Sequence, residues 1–197
     1  MSDALRAQPD ACVHLTFDDG PDPEWTPQVL DVLAAAEMRA TFFSIGRQAQ
    51  RYPELIRRVS AAGHEIANHT FDHRHPWTMS ARVARSQVRD GALALGDILG
   101  HSPRLYRSPH GRNRACMIEE AARCGEMPVG WDLSAVDWGP FGISRRIGAR
   151  LRRIQPRDIV LMHDGRNRHN RPDQLLQALP AFLDELRLRR LHSMPLG

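Results

Sequence analysis

Residues Cys12-Val13-His14-Leu15-Thr16-Phe17-Asp18-Asp19-Gly20-Pro21 hold the key to the fold. Six residues of strand character run into two carboxylates and then a Gly-Pro turn signal. Working outward, similar short runs recur at Ala40–Ile45, His64–Ala67, Arg104–Arg107, Pro128–Leu133, Asp158–Met162 and Leu191–Met194. Between them, Thr26–Ala36, Pro53–Ala62, Ser80–Leu99, Arg114–Cys124, Ser144–Arg153 and Pro172–Leu188 carry apolar residues at three- and four-residue spacing, which predicts helices. Ser80 and Ser144 read as N-caps, and Gly63, Gly100 and Gly125 as left-handed helix terminators. Strands alternating with helices imply a parallel sheet with crossovers. Seven such units point to a (β/α) barrel with fewer than eight strands, with a doubly wound sheet as the alternative.

The chain has 197 residues and a mass of 22.3 kDa, the size of one domain. A chain of this length buries roughly 70% of its unfolded surface, so folding requires neither disulfides nor metal. Its 42% hydrophobic and 25% charged residues exclude disorder. All 27 basic residues are Arg, and the absence of Lys removes Schiff-base chemistry and a P-loop lysine. The formal net charge of +4 is spread along the chain. Only 143–157, with Arg145, Arg146, Arg150, Arg152, Arg153 and Arg157, forms a basic face, which reads as solvated helix surface rather than a nucleic-acid site. Cys12, Cys116 and Cys124 are too few and too scattered for a disulfide framework, and predict reduced thiols. Residues 1–11 lack the apolar stretch of a secretion signal, and no run reaches the ~20 apolar residues of a membrane span. The expectation is a cytoplasmic protein with a short extension over 1–11 and one domain over 12–197.

Chemistry in α/β folds gathers at the carboxyl ends of strands. Five of the predicted strands end in reactive residues: Asp18-Asp19; Asn68-His69 with His73; Arg107 with His110; Asp137-Trp138; and His163-Asp164. His69 and His73 have the four-residue spacing that puts two imidazoles on one helical face. Alone the pair says little, and Asp18-Asp19 alone reads equally as a turn with an N-cap. Together they offer a His, His, Asp set with open positions and a spare carboxylate as base. His14 reads as a satisfied barrel residue, and His64, His75, His101, His169 and His192 as surface or loop residues. Trp25 and Trp77 read equally as ligand-stacking platforms and as packing residues.

The order Thr-Phe-Asp-Asp-Gly-Pro (16–21), Ala-Thr-Phe-Phe-x-Ile-Gly (40–46), His-Thr-x-x-His (69–73), Arg-x-Pro-x-Gly (107–111), Asp-Trp (137–138) and Leu-x-His-Asp (161–164) resembles the NodB-type polysaccharide deacetylases, carbohydrate esterase family four. The resemblance spans residue 12 to about 196 and implies a distorted (β/α) barrel with about seven strands. It implies metal-dependent removal of N-acetyl groups from an amino-sugar substrate such as a chitooligosaccharide. By the same resemblance Asp19, His69 and His73 match ligands of one divalent metal, usually zinc; cobalt or iron also suits this donor set. Asp18 matches the general base and His163 the general acid. Arg107 matches the partner of the base and Asp137 the partner of the acid. Trp138 and Leu161 match apolar walls around the acetyl methyl, and the backbone N–H of His110 an oxyanion donor.

Two positions depart from the family pattern. His110 stands where Tyr or Phe is common, and Ser134 where an Asp precedes Asp137 by three residues; Asp132 lies near enough to be considered as its substitute. The rival readings are an O-acetyl esterase or other amide hydrolase on the same barrel, and a sugar-binding pseudoenzyme. The intact Asp18-Asp19 pair disfavours cyclic-amide relatives, and the presence of every ligand, base and acid disfavours a pseudoenzyme.

Overall fold

Residues 11–197 are described in the computed structural model of the chain, so all of the expected 1–11 extension except Ala11 lies outside the described residues. Strand β1 (Cys12–Asp18) is buried along its whole length. Its alternation sorts the side chains. Val13, Leu15 and Phe17 join a core shared with helical Val29, Leu33, Leu179 and Phe182. Thr16 and Asp18 turn the other way, where both meet the guanidinium of Arg107.

On one side of β1 lie β2 (Thr41–Ser44), β3 (Glu65–Asn68), β4 (Leu105–Tyr106) and β5 (Met127–Pro128). On the other lie β7 (Ile159–His163) and β6 (Leu133–Ser134), while β8 (His192–Ser193) pairs with the first two residues of β1. Every ladder is parallel, and the seven strands β1 to β7 follow chain order round the curl, with no ladder joining β5 to β6 among the described residues. This is a distorted, incompletely closed (β/α) barrel. A doubly wound sheet would instead reverse its strand order at a switch point.

The helices are α1 (Trp25–Ala35), α2 (Gly46–Arg51), α3 (Pro53–Ala61), α4 (Ala81–Leu99), α5 (Ala115–Arg123), α6 (Ser144–Leu151) and α7 (Pro172–Leu188). Ser80 caps α4 through its hydroxyl, which accepts the Val83 N–H at 3.3 Å. Gly63, Gly100 and Gly125 adopt φ of 80°, 77° and 78°, as terminators must. Three local expectations are corrected, and one short helix is added. Ser144 lies inside α6 rather than capping it, and its N–H is taken by Gln174 Oε1 at 3.1 Å. Pro128–Leu133 is not one strand: β5 ends at Pro128 and β6 begins at Leu133, because the Val129 and Gly130 carbonyls turn inward to Arg107. Helix α2 escapes the periodicity analysis because its six residues hold only Gly46 and Ala49 on the buried side. His64 is buried, accepting the Ala40 N–H at 3.1 Å and packing edge-on against Phe42. His14 is satisfied as expected, through Met194 O at 2.9 Å.

Candidate active site and metal centre

Strand register brings the first reactive pair together. Asp18 at the end of β1 is the direct neighbour of His163 on β7 and of Phe43 on β2. Asp18 Oδ1 accepts from Arg107 Nη1 at 2.7 Å. That guanidinium is 1% exposed, stacks 3.9 Å from the Phe43 ring centroid and donates also to Thr16 Oγ1, Val129 O and Gly130 O. Arg107 therefore does two things at once: it compensates a buried carboxylate and ties β1 to the break between β5 and β6.

His69 and His73 do not share a helix face, contrary to the spacing argument. They lie in an irregular turn after β3, with φ of 68° at Thr70 and 57° at His73. Local hydrogen bonds shape this turn: Asn68 Oδ1 accepts the Thr70 N–H at 2.9 Å and Thr70 Oγ1 the His73 N–H at 3.3 Å. Helix α2 clamps it from outside, donating from the Gly46 and Arg47 N–H groups to the Thr70 and Phe71 carbonyls. On the far side, α4 approaches so closely that a Cβ on Gly91 would lie 2.7 Å from the Thr70 carbonyl carbon.

The result is a triad. His73 Nε2 lies 3.0 Å and His69 Nε2 3.4 Å from Asp19 Oδ1, an oxygen that is buried without any hydrogen-bond partner. His69 Nδ1 meets the Arg107 carbonyl at 2.8 Å, which makes Nδ1 a donor and aims Nε2 at Asp19. Burial disfavours the charge on this ring, but the Asp18 and Asp19 carboxylates outweigh it and raise its pKa. Burial pushes the His73 imidazole down to about 4 against the pull of Asp19, so its ring is neutral at pH 7. Burial alone would raise Asp19, but the surrounding imidazoles of His69, His73 and His163 hold it well below the usual carboxylate range. A deprotonated carboxylate with an orphaned oxygen and two imidazole Nε2 atoms converging on it fit a divalent cation.

The opposite wall holds the second pair. His163 Nδ1 bonds Asp137 Oδ1 at 2.9 Å, and the His163 backbone N–H donates to Asp137 Oδ2 at 2.8 Å. Burial opposes the charge on His163, but the fully buried Asp137 carboxylate overrides it and raises the imidazole to about 9. Trp138 packs edge-on against that ring, with centroids 5.3 Å apart. Ser134 Oγ accepts the Val136 N–H at 3.1 Å and so keeps the turn that delivers Asp137. Asp132 does not take that place, because its carboxylate accepts the Ile159 N–H at 2.9 Å.

A cleft of about 360 Å³ joins the two walls and is lined by Asp18, Asp19, His69, His73, His110, Trp131, Trp138, Leu161 and His163 among others. Arg107 and Asp137 lie behind it, touching Asp18 and His163. His110, at φ 57°, forms the lip, and its ring lies 4.6 Å from that of His73. The aromatic lining comes from Trp131 and Trp138; Trp25 and Trp77 are not part of the cleft wall, and Trp77 is 64% exposed with Arg114 over its ring. Sequence reasoning overlooked Trp131 and the amides Asn167 and Asn170, which also reach the cleft. The only hint of the latter was a polar loop directly after the Leu161–Asp164 strand end.

A distorted barrel carrying a candidate metal triad, a carboxylate paired with Arg and an imidazole paired with Asp defines a metal-assisted hydrolase. The polysaccharide deacetylase family profile matches residues 6–129. A chitooligosaccharide deacetylase from Sinorhizobium fredii is 39% identical over 174 residues, covering 88% of this chain and 79% of that protein. A peptidoglycan-N-acetylglucosamine deacetylase from Bacillus cereus is 36% identical over 177 residues, covering 89% and 81%. The structure of a family 4 carbohydrate esterase from Streptomyces lividans in complex with acetate superposes with a TM-score of 0.84 at 30% identity, covering 93% of this chain and 92% of that one. The chain belongs to the polysaccharide deacetylase family. It is a metal-dependent deacetylase, a hydrolase of linear amide bonds. No helix among the described residues is long and apolar enough to cross a membrane.

Proposed function

We propose that the enzyme removes N-acetyl groups from short N-acetylglucosamine oligomers, with zinc held by Asp19, His69 and His73. The observation that carries this reading is the orphaned Asp19 Oδ1 facing the Nε2 atoms of two imidazoles beside a base and an acid. Zinc bound there supplies Lewis acidity toward the amide carbonyl and the attacking water. Asp18, oriented by Arg107, accepts the proton of that water. The backbone N–H of His110 faces the developing oxyanion. His163 donates a proton to the departing amine nitrogen, and Asp137 keeps it charged and correctly turned. Trp138 and Leu161 enclose the acetyl methyl.

The likeness to chitooligosaccharide deacetylases supports the substrate class. The reduced thiols of Cys116 and Cys124 support a reducing, cytoplasmic setting, where substrates are soluble rather than wall polymers. Acetate release by zinc-loaded protein will show higher kcat/KM on chitotetraose than on insoluble chitin, peptidoglycan or acetylated xylan. Preference for any of those polymers overturns the substrate assignment.

The acid role fixes a pH dependence. His163 works only when protonated, so with its ring raised to about 9, activity persists through neutral pH and falls as pH rises through about 9. Asp137→Asn removes the anion that opposes desolvation, so the alkaline limb moves to lower pH. An alkaline limb at the same pH in the Asp137→Asn variant rules out this pairing.

A further inference from the structure

The loop after β7 makes an unusual demand on one ligand. Asp19 Oδ2 accepts from Asn170 Nδ2 at 2.6 Å and from Asn167 Nδ2 at 2.9 Å. Chemistry settles both amide orientations. Asn170 Nδ2 also faces the Gly165 carbonyl at 3.0 Å, so acceptors surround it and it must be the nitrogen. Asn167 Oδ1 accepts the His169 N–H at 2.7 Å and the Asn170 N–H at 2.9 Å, so its nitrogen must face Asp19. Asn170 is 5% exposed.

A carboxylate oxygen has two lone-pair sites. The two amides fill both on Oδ2, while Oδ1 keeps none occupied. We propose that Asn167 and Asn170 are positioning residues that restrict Asp19 to one-oxygen coordination and thereby set the metal affinity of the site. This rests on the reading of Asp19 as a ligand. With Oδ2 withheld, three protein atoms hold the cation, and positions stay open for water and the substrate carbonyl. Without the amides, the carboxylate rotates freely, or turns its second oxygen onto the cation and closes one of those positions.

The loop is rigid enough for the task. A Cβ on Gly165 would lie 2.2 Å from the Asp19 carbonyl oxygen, so only glycine lets the loop lie against this residue. Asn170 bridges to Trp138, Gly139 N–H donates to His169 O at 2.8 Å, and Arg171 N–H donates to Asp137 O at 2.8 Å. One loop thus braces the metal ligand from its side chains and the acid's partner from its backbone.

The test uses zinc alone, titrated into metal-stripped protein against a chromophoric chelator. Removing an outer partner of a metal ligand weakens binding ~10–100-fold, and Asn170→Ala is expected to do so. Asn167→Ala is expected to do the same less strongly; its position is exposed, so it serves if the Asn170→Ala variant fails to fold. In the cobalt-loaded proteins, the visible band should change intensity as Asp19 takes up its second oxygen. A purely structural loop would lower apo-protein melting while leaving zinc affinity and the cobalt band unchanged, and that result overturns the proposal. His69→Ala serves as the control. If it loses zinc while both Asn variants bind normally, only this inference fails; if it keeps zinc, the ligand reading itself fails.

Discussion

Replacing His69 with alanine will give a protein that purifies without stoichiometric metal and without measurable deacetylase activity. His69 is 2% exposed, and its Nδ1 is committed to the Arg107 carbonyl, so only Nε2 is available to a cation. Removing the ring leaves Asp19 Oδ1 and His73 Nε2 as the two remaining donors. Structural and catalytic zinc sites both require at least three protein ligands, so two should not retain the ion through dialysis. The fold should persist, because the turn around His69 is held by Asn68, Thr70 and helix α2 rather than by the imidazole. Elemental analysis alongside a thermal melt checks this; a folded variant that still carried one tightly bound ion would refute the ligand set.

The second large effect separates metal from proton transfer. Asp18→Asn is expected to retain zinc but lose ~10²–10⁴-fold in kcat, the usual worth of a general base. Asn has the shape of Asp and can hold a water, yet it has no anionic oxygen to accept the proton. The substitution also strips Arg107 of its buried counter-ion. Arg107 keeps hydrogen bonds to Thr16 Oγ1, Val129 O and Gly130 O, so stability should fall while the fold survives. Single-turnover rates at saturating zinc and substrate give the catalytic part alone. A loss of less than about tenfold, well below the usual range, would remove Asp18 from the base role.

Legibility was uneven along the chain, and the unevenness has physical causes. Pro172–Leu188 is a helix over its expected span because long apolar periodicity records a buried face. The clusters at Asp18-Asp19, His69, Arg107, Asp137 and His163 do meet, since parallel strands all present their carboxyl ends on one side. The helix reading of His69 and His73 was wrong because side-chain hydrogen bonds to the backbone replaced helical ones in that turn. The break between β5 and β6 was invisible because its cause, Arg107, lies 22 and 23 residues away in sequence.

By itself, then, the sequence determined what is local or periodic: the alternation of strands and helices, the Ser80 cap, the glycine terminators, and the order in which acid, base and donor residues reach the strand ends. Those features depend on backbone preferences and on contacts within a few residues. Only the tertiary structure decided which oxygen of Asp19 is open. Its Oδ2 is filled by amides 148 and 151 residues away, and its Oδ1 faces imidazoles from the turn after another strand. Neither distance is written in any period of the chain. They arise from register and from glycine-permitted close packing, which exist only once the barrel has curled.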